Sequence, residues 1–197
     1  MGKSTNKLTN AQLDKLILES TLPMNSLGIQ IPYSYFSESV NLNWYDISIA
    51  IENAYLPIKS GIEHAIKEIE GNLDYNDGVL NLAMISPNDT SSHEEISKNI
   101  VQLAELVSDE DKSKAKEKIL FVLLKWLFEN QKNYDDPLRV VEIVYDDFDF
   151  PEIIKDFVRY EPSPHTIKGA MDENIKRLYN NWQFFLKARS IKFNQSK

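Results

Sequence analysis

Ser108–Asn133 reads SDEDKSKAKEKILFVLLKWLFENQKN. Its acids open the stretch, where the dipole of a helix favours negative charge. From Ile119 to Phe128 it is apolar on nearly every side. A helix of that kind belongs in the middle of a bundle, because no polar face is left for water. The longest unbroken apolar run, Ile119–Leu124, is far shorter than the roughly 20 residues needed to span a bilayer. This stretch therefore predicts an all-α protein built around one apolar helix.

Toward the C-terminus, Asp136-Pro137 has the form of an N-cap followed by proline in the first turn. Leu138, Val141, Val144 and Tyr145 then recur at helical spacing. Asp149, Pro151 and Glu152 repeat the start signal, with Asp149 as cap, Glu152 as its partner and Phe148 and Phe150 as core anchors. Ile153, Ile154, Phe157 and Val158 supply that element's apolar face. EPSPH, residues 161–165, is an extended break. A last long helix carries Met171, Ile175, Leu178, Trp182, Phe185 and Leu186 on one stripe.

Toward the N-terminus, Ser92 and Glu95 have capping-box spacing ahead of Ile96, Ile100, Leu103 and Leu106. Val79–Ile85 is a short helix with Leu80, Ala83 and Met84 on one face. NLDYNDG and SPNDTSS on either side of it are turns. Asn43 caps a helix bearing Trp44, Ile47, Ile51 and Ala54. Pro57 opens another, with Ile58, Ile62, Ala65, Ile66 and Ile69, and Gly71 ends it in the left-handed conformation. The short connection makes this pair an antiparallel hairpin. Met24–Val40 has no clear period, but its aromatic content predicts a loop packed on the body, with a short strand at Ile29–Ile31. Thr9 and Gln12 form a capping box for a helix facing inward through Leu13, Leu16 and Ile17, ended by Pro23. The organisation is thus an N-terminal helix and packed loop over 1–41 and a helical domain over 42–197, in one globular unit. Trp44, Trp126, Trp182, Phe148 and Phe157 are the expected buried aromatics.

The 197 residues contain no cysteine, which excludes disulfides, thiolate metal sites and thiol catalysis. The formal net charge is -8, which argues against nucleic acid as the main ligand. The polar start, MGKSTNKLTN, lacks the form of a secretory signal, and Asn6 stands where myristoylation needs Ser or Thr; a cytoplasmic protein is expected. His64, His93 and His165 have no metal-ligand spacing and read as surface or helix-end residues. No nucleophile elbow, P-loop or dinucleotide motif occurs. No catalytic residue, metal or cofactor is assigned.

The dense polar segment is Tyr145–Glu152, YDDFDFPE. Asp146 and Asp147 have no evident structural duty. With Asp149 they form the one set that a metal-dependent hydrolase would use, since a hard cation takes oxygen ligands. Asp135–Glu161 carries nine acids and three bases, a local charge of -6, and Thr166–Lys197 carries seven bases and two acids, or +5. Either the terminal helix neutralises the acidic segment, or the acids meet a cationic partner protein.

LNWYDISIAIENAYL, LLKWLFENQKN, DDPLRVVEIVYDDFDFPEIIKDFVRYEP and LYNNWQFFL, in this order, resemble an uncharacterised bacterial domain family. The likeness runs from about Leu42 to Leu186 and leaves Met1–Asn41 outside. It is carried by K-W-L-[YF]-E-N, an acid-Pro-Leu helix and Y-x-D-F-D-[YF]-P, with Phe150 where tyrosine is frequent. Members resemble immunity proteins that accompany polymorphic toxins. The resemblance implies a small cytosolic protein, not an enzyme, that binds and neutralises a cognate toxin domain. Acidic surfaces suit that role, because a negative face speeds the approach of a cationic nuclease domain. Asp135, Glu142, Asp146 and Asp147 are the expected partner contacts, and Tyr33–Phe36 is the reserve docking element. A metal-dependent hydrolase and a helical adaptor are the alternatives, and no membrane or nucleic-acid partner is expected.

Overall fold

Side-chain caps at Thr9, Asn43, Asn76, Ser108 and Asp136 place half of the described α-helix starts. The computed structural model describes residues 7–71, 75–86, 92–159 and 171–194. Among them the chain is all-α, and the β pairing is confined to an isolated parallel bridge between Leu8 and Tyr134. The helices are α1 (Asn10–Glu19), α2 (Tyr33–Ser39), α3 (Trp44–Glu52), α4 (Ser60–Gly71), α5 (Asp77–Met84), α6 (His93–Glu105), α7 (Asp109–Ser113), α8 (Ala115–Glu129), α9 (Pro137–Asp147) and α10 (Met171–Asn194). Two 3₁₀ segments, Gln131–Asn133 and Glu152–Phe157, flank α9. Two compact units divide the chain: one holds 29–119, the other 1–28 with 120–197, so the boundary falls inside α8. Segments 1–41 and 42–197 each contribute to both.

In the 29–119 unit, Asn43 and Asp46 cap α3 reciprocally, each side chain accepting the other's backbone N–H at 2.9 Å. Asp46 is fully buried and also accepts a bond from the Lys118 ammonium at 2.6 Å, which ties the start of α8 to the start of α3. α3 packs chiefly on α6, and α4 on α5, so the expected α3–α4 hairpin is not the main contact of either helix. Gly61 sets the approach of α4 to α6: a Cβ there would stand 2.5 Å from Ile100 Cδ1. Ile47, Ala50, Ile62, Ala65, Val79, Leu82, Ile96 and Ile100 are buried.

In the other unit, the Leu8 N–H donates to the Asn133 carbonyl at 2.8 Å and the Asp135 N–H to Leu8 O at 3.0 Å. Thr9 and Gln12 make the expected capping box. Asp136 caps α9 with Pro137 in the first turn. α10 packs on the 3₁₀ segment 152–157, with Phe157 stacked on Trp182 at 6.2 Å and tilted against Phe185 at 5.5 Å.

Several expectations are corrected. Residues 33–39 form a helix rather than a loop, and Ile29–Ile31 is no strand; the Ile31 N–H instead donates to Tyr55 O. The segment is nevertheless packed, since Ile31, Tyr33, Phe36 and Val40 are buried. The single helix expected over 108–133 breaks at Lys114 into α7 and α8. Pro57 precedes α4 by three residues, and Gly71 closes α4 without a positive φ. Ser92 stands at the N-cap of α6 but makes no side-chain capping bond. α5 turns Val79 and Leu82 inward and leaves Leu80 and Met84 exposed. Leu16, Ile66, Leu106 and Met171 are exposed as well, and Trp126 is half-buried. Trp44, Trp182, Phe148 and Phe157 are buried as expected. His165 and the 161–165 break lie outside the described residues, as do 72–74 and 87–91 of the two turns.

Candidate functional site

α9 ends in a left-handed corner made without glycine. Phe148 is the C-cap, and Asp149 and Phe150 follow with φ of +60° and +56°. The Phe150 N–H donates to Tyr145 O at 2.9 Å and the Asp149 N–H to Asp146 O at 3.0 Å. Those two bonds define a Schellman motif, with Asp149 at the position glycine usually fills. The hydrophobic contact that completes such motifs is also there: the Tyr145 and Phe150 rings meet edge-on at 5.4 Å. Aspartate tolerates the left-handed region, but for a side chain as bulky as phenylalanine it costs on the order of 1–2 kcal/mol.

Asp149 is therefore the end of one helix and not the cap of the next. The 3₁₀ segment that follows starts from Pro151 and has no side-chain cap. Nor is Phe150 a core anchor, since it is 56% exposed. Phe148 is buried.

The four expected contact residues have different surroundings. Glu142 is buried, which corrects its reading as an exposed acid. Arg159 grips it as a fork, Nε to Oε1 at 2.6 Å and Nη2 to Oε2 at 3.0 Å, and reaches Asp136 through Nη1 at 2.8 Å. The Glu142 bonds, then Asp136, hold the Arg159 guanidinium protonated above its usual range. Arg139 adds ion pairs to Glu142 at 3.6 Å and Asp14 at 3.4 Å. The acidic segment is thus partly neutralised by its own arginines. Asp147 is half-buried and accepts the Ser26 N–H at 2.9 Å and its hydroxyl at 3.0 Å, tying the turn before Gly28 to the end of α9. Burial pushes its carboxyl up, the Ser26 bonds pull it back, and Asp146 raises it again. Asp146 and Asp135 are both exposed, Asp146 in the last turn of α9 and Asp135 just ahead of its N-cap, so they stand at opposite ends of the helix rather than side by side. Among the described residues no three His, Asp or Glu side chains are grouped so as to hold a metal ion, and Asp146, Asp147 and Asp149 are not such a set.

His64 is buried rather than at the surface. Its Nδ1 lies 2.9 Å from the Tyr33 hydroxyl and its ring edge-on to Trp44 at 4.7 Å. Burial, with Lys67 nearby, pushes it down to about 4. Burial, then Glu63, pushes Tyr33 up to about 12. The Trp44 indole N–H donates to Glu68 at 2.8 Å. Tyr33 belongs to this packed cluster, while Tyr35 is half-buried.

One signal for the corner was present in the sequence: two aromatics five residues apart, Tyr145 and Phe150, around a short acidic run. The pairing of Arg159 with Glu142, 17 residues apart, left none.

The chain belongs to a family described as an uncharacterized protein conserved in bacteria (DUF2247), whose model matches residues 33–190. The match includes α2 and so begins before the Leu42 at which the sequence likeness started. No curated protein and no solved structure matches the chain. Among the described residues no helix is long and apolar enough to cross a membrane.

Proposed function

Proceeding from that membership, we propose that this protein is a cytoplasmic immunity-type protein that docks on a partner toxin domain and occludes it, with the 145–151 corner as its principal contact. The observation that carries this reading is Phe150, an exposed aromatic held on two successive left-handed residues between exposed Asp146 and Asp149. Strain of this kind recurs at functional sites, where an interaction other than folding offsets it. A rigid aromatic ringed by polar groups is also the usual make-up of a binding hot spot. The carboxylates and the net charge of -8 favour a cationic partner. Asp146 is the charged contact, Asp135 an outlying acid, and Glu142 and Asp147 hold the scaffold. The metal-hydrolase alternative has less support, because Ser26 already engages Asp147.

The test is kinetic. The toxin domain encoded beside this chain's gene is purified and its association measured at rising salt. The rate should fall as the Debye length drops below about 8 Å, and Asp146→Lys should slow it. Phe150→Ala should speed dissociation instead. A salt-insensitive rate unchanged by both substitutions, or the lack of any neighbouring toxin, overturns the reading.

A further inference from the structure

The 29–119 unit holds a cavity of its own, of about 670 Å³, between segments 30–34 and 57–63. That lies within the roughly 300–1,000 Å³ of small-molecule sites. Two contacts brace its walls. The Ile31 N–H donates to Tyr55 O at 2.9 Å, and the Tyr33 hydroxyl lies 2.9 Å from His64 Nδ1. The Pro57 carbonyl accepts the Ser60 N–H at 2.9 Å, that of Ile58 the Gly61 N–H at 3.1 Å and that of Lys59 the Ile62 N–H at 3.0 Å. The first amides of α4 are thus already bonded, and recognition at this wall falls to side chains.

Three side chains stand together there. Lys59 and Glu63 are four residues apart and Ser60 and Glu63 three, so each pair is adjacent on the helix surface. The Lys59 ammonium and the Glu63 carboxylate are 3.8 Å apart and both partly exposed. That is about 1 Å longer than a charge-assisted hydrogen bond, and exposed pairs of this kind stabilise the fold little. Either charge can therefore exchange its partner for a ligand group. Ser60 is fully buried at the cavity, and its Oγ has no hydrogen-bond partner among the described residues. Buried hydroxyls are nearly always bonded to protein, water or ligand, so a polar ligand atom is rewarded here. Ile31, Pro32, Tyr33 and Pro57 supply an apolar wall. Burial and then the Glu63 charge raise the Tyr33 hydroxyl, which sets that carboxylate beside the same wall. Among the described residues Lys59 and Glu63 are the charged members of the lining, and they cancel. A lone anion or a lone cation would leave one of them unanswered. A molecule with a carboxylate, an ammonium and an apolar body answers every feature of the site.

We propose that this cavity binds a small zwitterion of the amino-acid class, its carboxylate on Lys59, its ammonium between Glu63 and Ser60 Oγ, and its apolar side chain against Pro32, Tyr33 and Pro57. The proposal does not depend on the 145–151 corner, which belongs to the other unit.

The test uses the full chain and a set of small probes. L-Phenylalanine and L-leucine carry both charges, hydrocinnamate lacks the ammonium, and phenethylamine lacks the carboxylate. Binding is followed through the NMR shifts of backbone amides in 30–34 and 58–63. L-Phenylalanine should saturate those shifts in the millimolar range and bind at least about tenfold more tightly than hydrocinnamate or phenethylamine. Lys59→Gln should make phenylalanine and phenethylamine bind alike, and Glu63→Gln should do the same for phenylalanine and hydrocinnamate. Ser60→Ala should weaken phenylalanine without lowering the melting temperature, because the hydroxyl it removes has no partner in the fold. Circular dichroism confirms that each variant is folded. No saturable shift with either amino acid, equal affinity for phenylalanine and its two analogues, or a preference that survives both charge substitutions overturns the proposal.

Discussion

α3 and α9 end by the same device and use it differently. After α3, Ala54 has a φ of +56°, its N–H donates to Ile51 O at 2.9 Å, and the Tyr55 N–H donates to Ala50 O at 2.8 Å. After α9, Asp149 and Phe150 repeat that pattern on Asp146 and Tyr145. Neither corner has the glycine that makes such a turn easy. The α3 corner sends Tyr55 and Leu56 straight into the core, at 0% and 1% exposure, and the Tyr55 carbonyl accepts the Ile31 N–H. Burying one large apolar side chain yields about 1.5–3 kcal/mol, enough to offset one strained residue. The α9 corner strains two residues and leaves the second in water. The same backbone turn is rewarded by burial after α3, whereas at Phe150 folding returns only the ring contact with Tyr145.

The largest expected effect sets the two aromatics against each other. Tyr55→Ala should cost about 3–5 kcal/mol, as for other fully buried aromatics. Phe150→Ala should cost no more than about 1 kcal/mol, for the lost ring contact with Tyr145. Urea unfolding midpoints measure both. A Phe150→Ala loss as large as that of Tyr55→Ala would make the α9 corner part of the core and end the contrast.

The next effect belongs to the unit that holds Tyr55. His64 is pushed down to about 4 in the fold, against an unfolded value near 6.5. The unfolded chain therefore binds the extra proton first, and stability is lost as pH falls from about 6.5 through 4. The full loss is on the order of 3 kcal/mol. Asp46 and Asp147, raised by burial, act in the opposite direction at the acid end, so the informative quantity is the difference between wild type and His64→Gln. Thermal melts between pH 7 and 4.5 should converge for the two proteins as pH falls. Parallel curves would place His64 in water.

These residues also show what was legible. Caps were read correctly at Thr9, Asn43 and Asp136, because the signal and the bond it makes lie within three residues. Asp149 failed for a related reason. Aspartate is favoured both at helix starts and in the left-handed region, and Asp-Phe-Pro-Glu matches either. α2 was missed because seven residues, YSYFSES, show no apolar period. The face of α5 was chosen wrongly because both of its faces carry apolar residues, and only packing against α4 and α6 selects Val79 and Leu82. His64 and Glu142 look like ordinary surface residues until Trp44 and Arg159 reach them across the fold.

The smallest effect probes the turns themselves. Ala54→Gly should gain up to about 1 kcal/mol, because relief of the left-handed strain exceeds the entropy that glycine adds to the unfolded chain. Asp149→Gly should gain less, since aspartate already tolerates the conformation. A loss at Ala54 in thermal unfolding would show that its turn is not left-handed.

The central claim is that the exposed corner serves a partner and not the fold. Its most direct measurement is survival of cells that express the neighbouring toxin domain together with either the wild-type protein or the variant combining Asp146→Lys with Phe150→Ala. The melting temperature of each protein is recorded alongside. The account predicts a variant that melts within a few degrees of wild type and no longer protects. A variant that is equally stable and protects fully would contradict it.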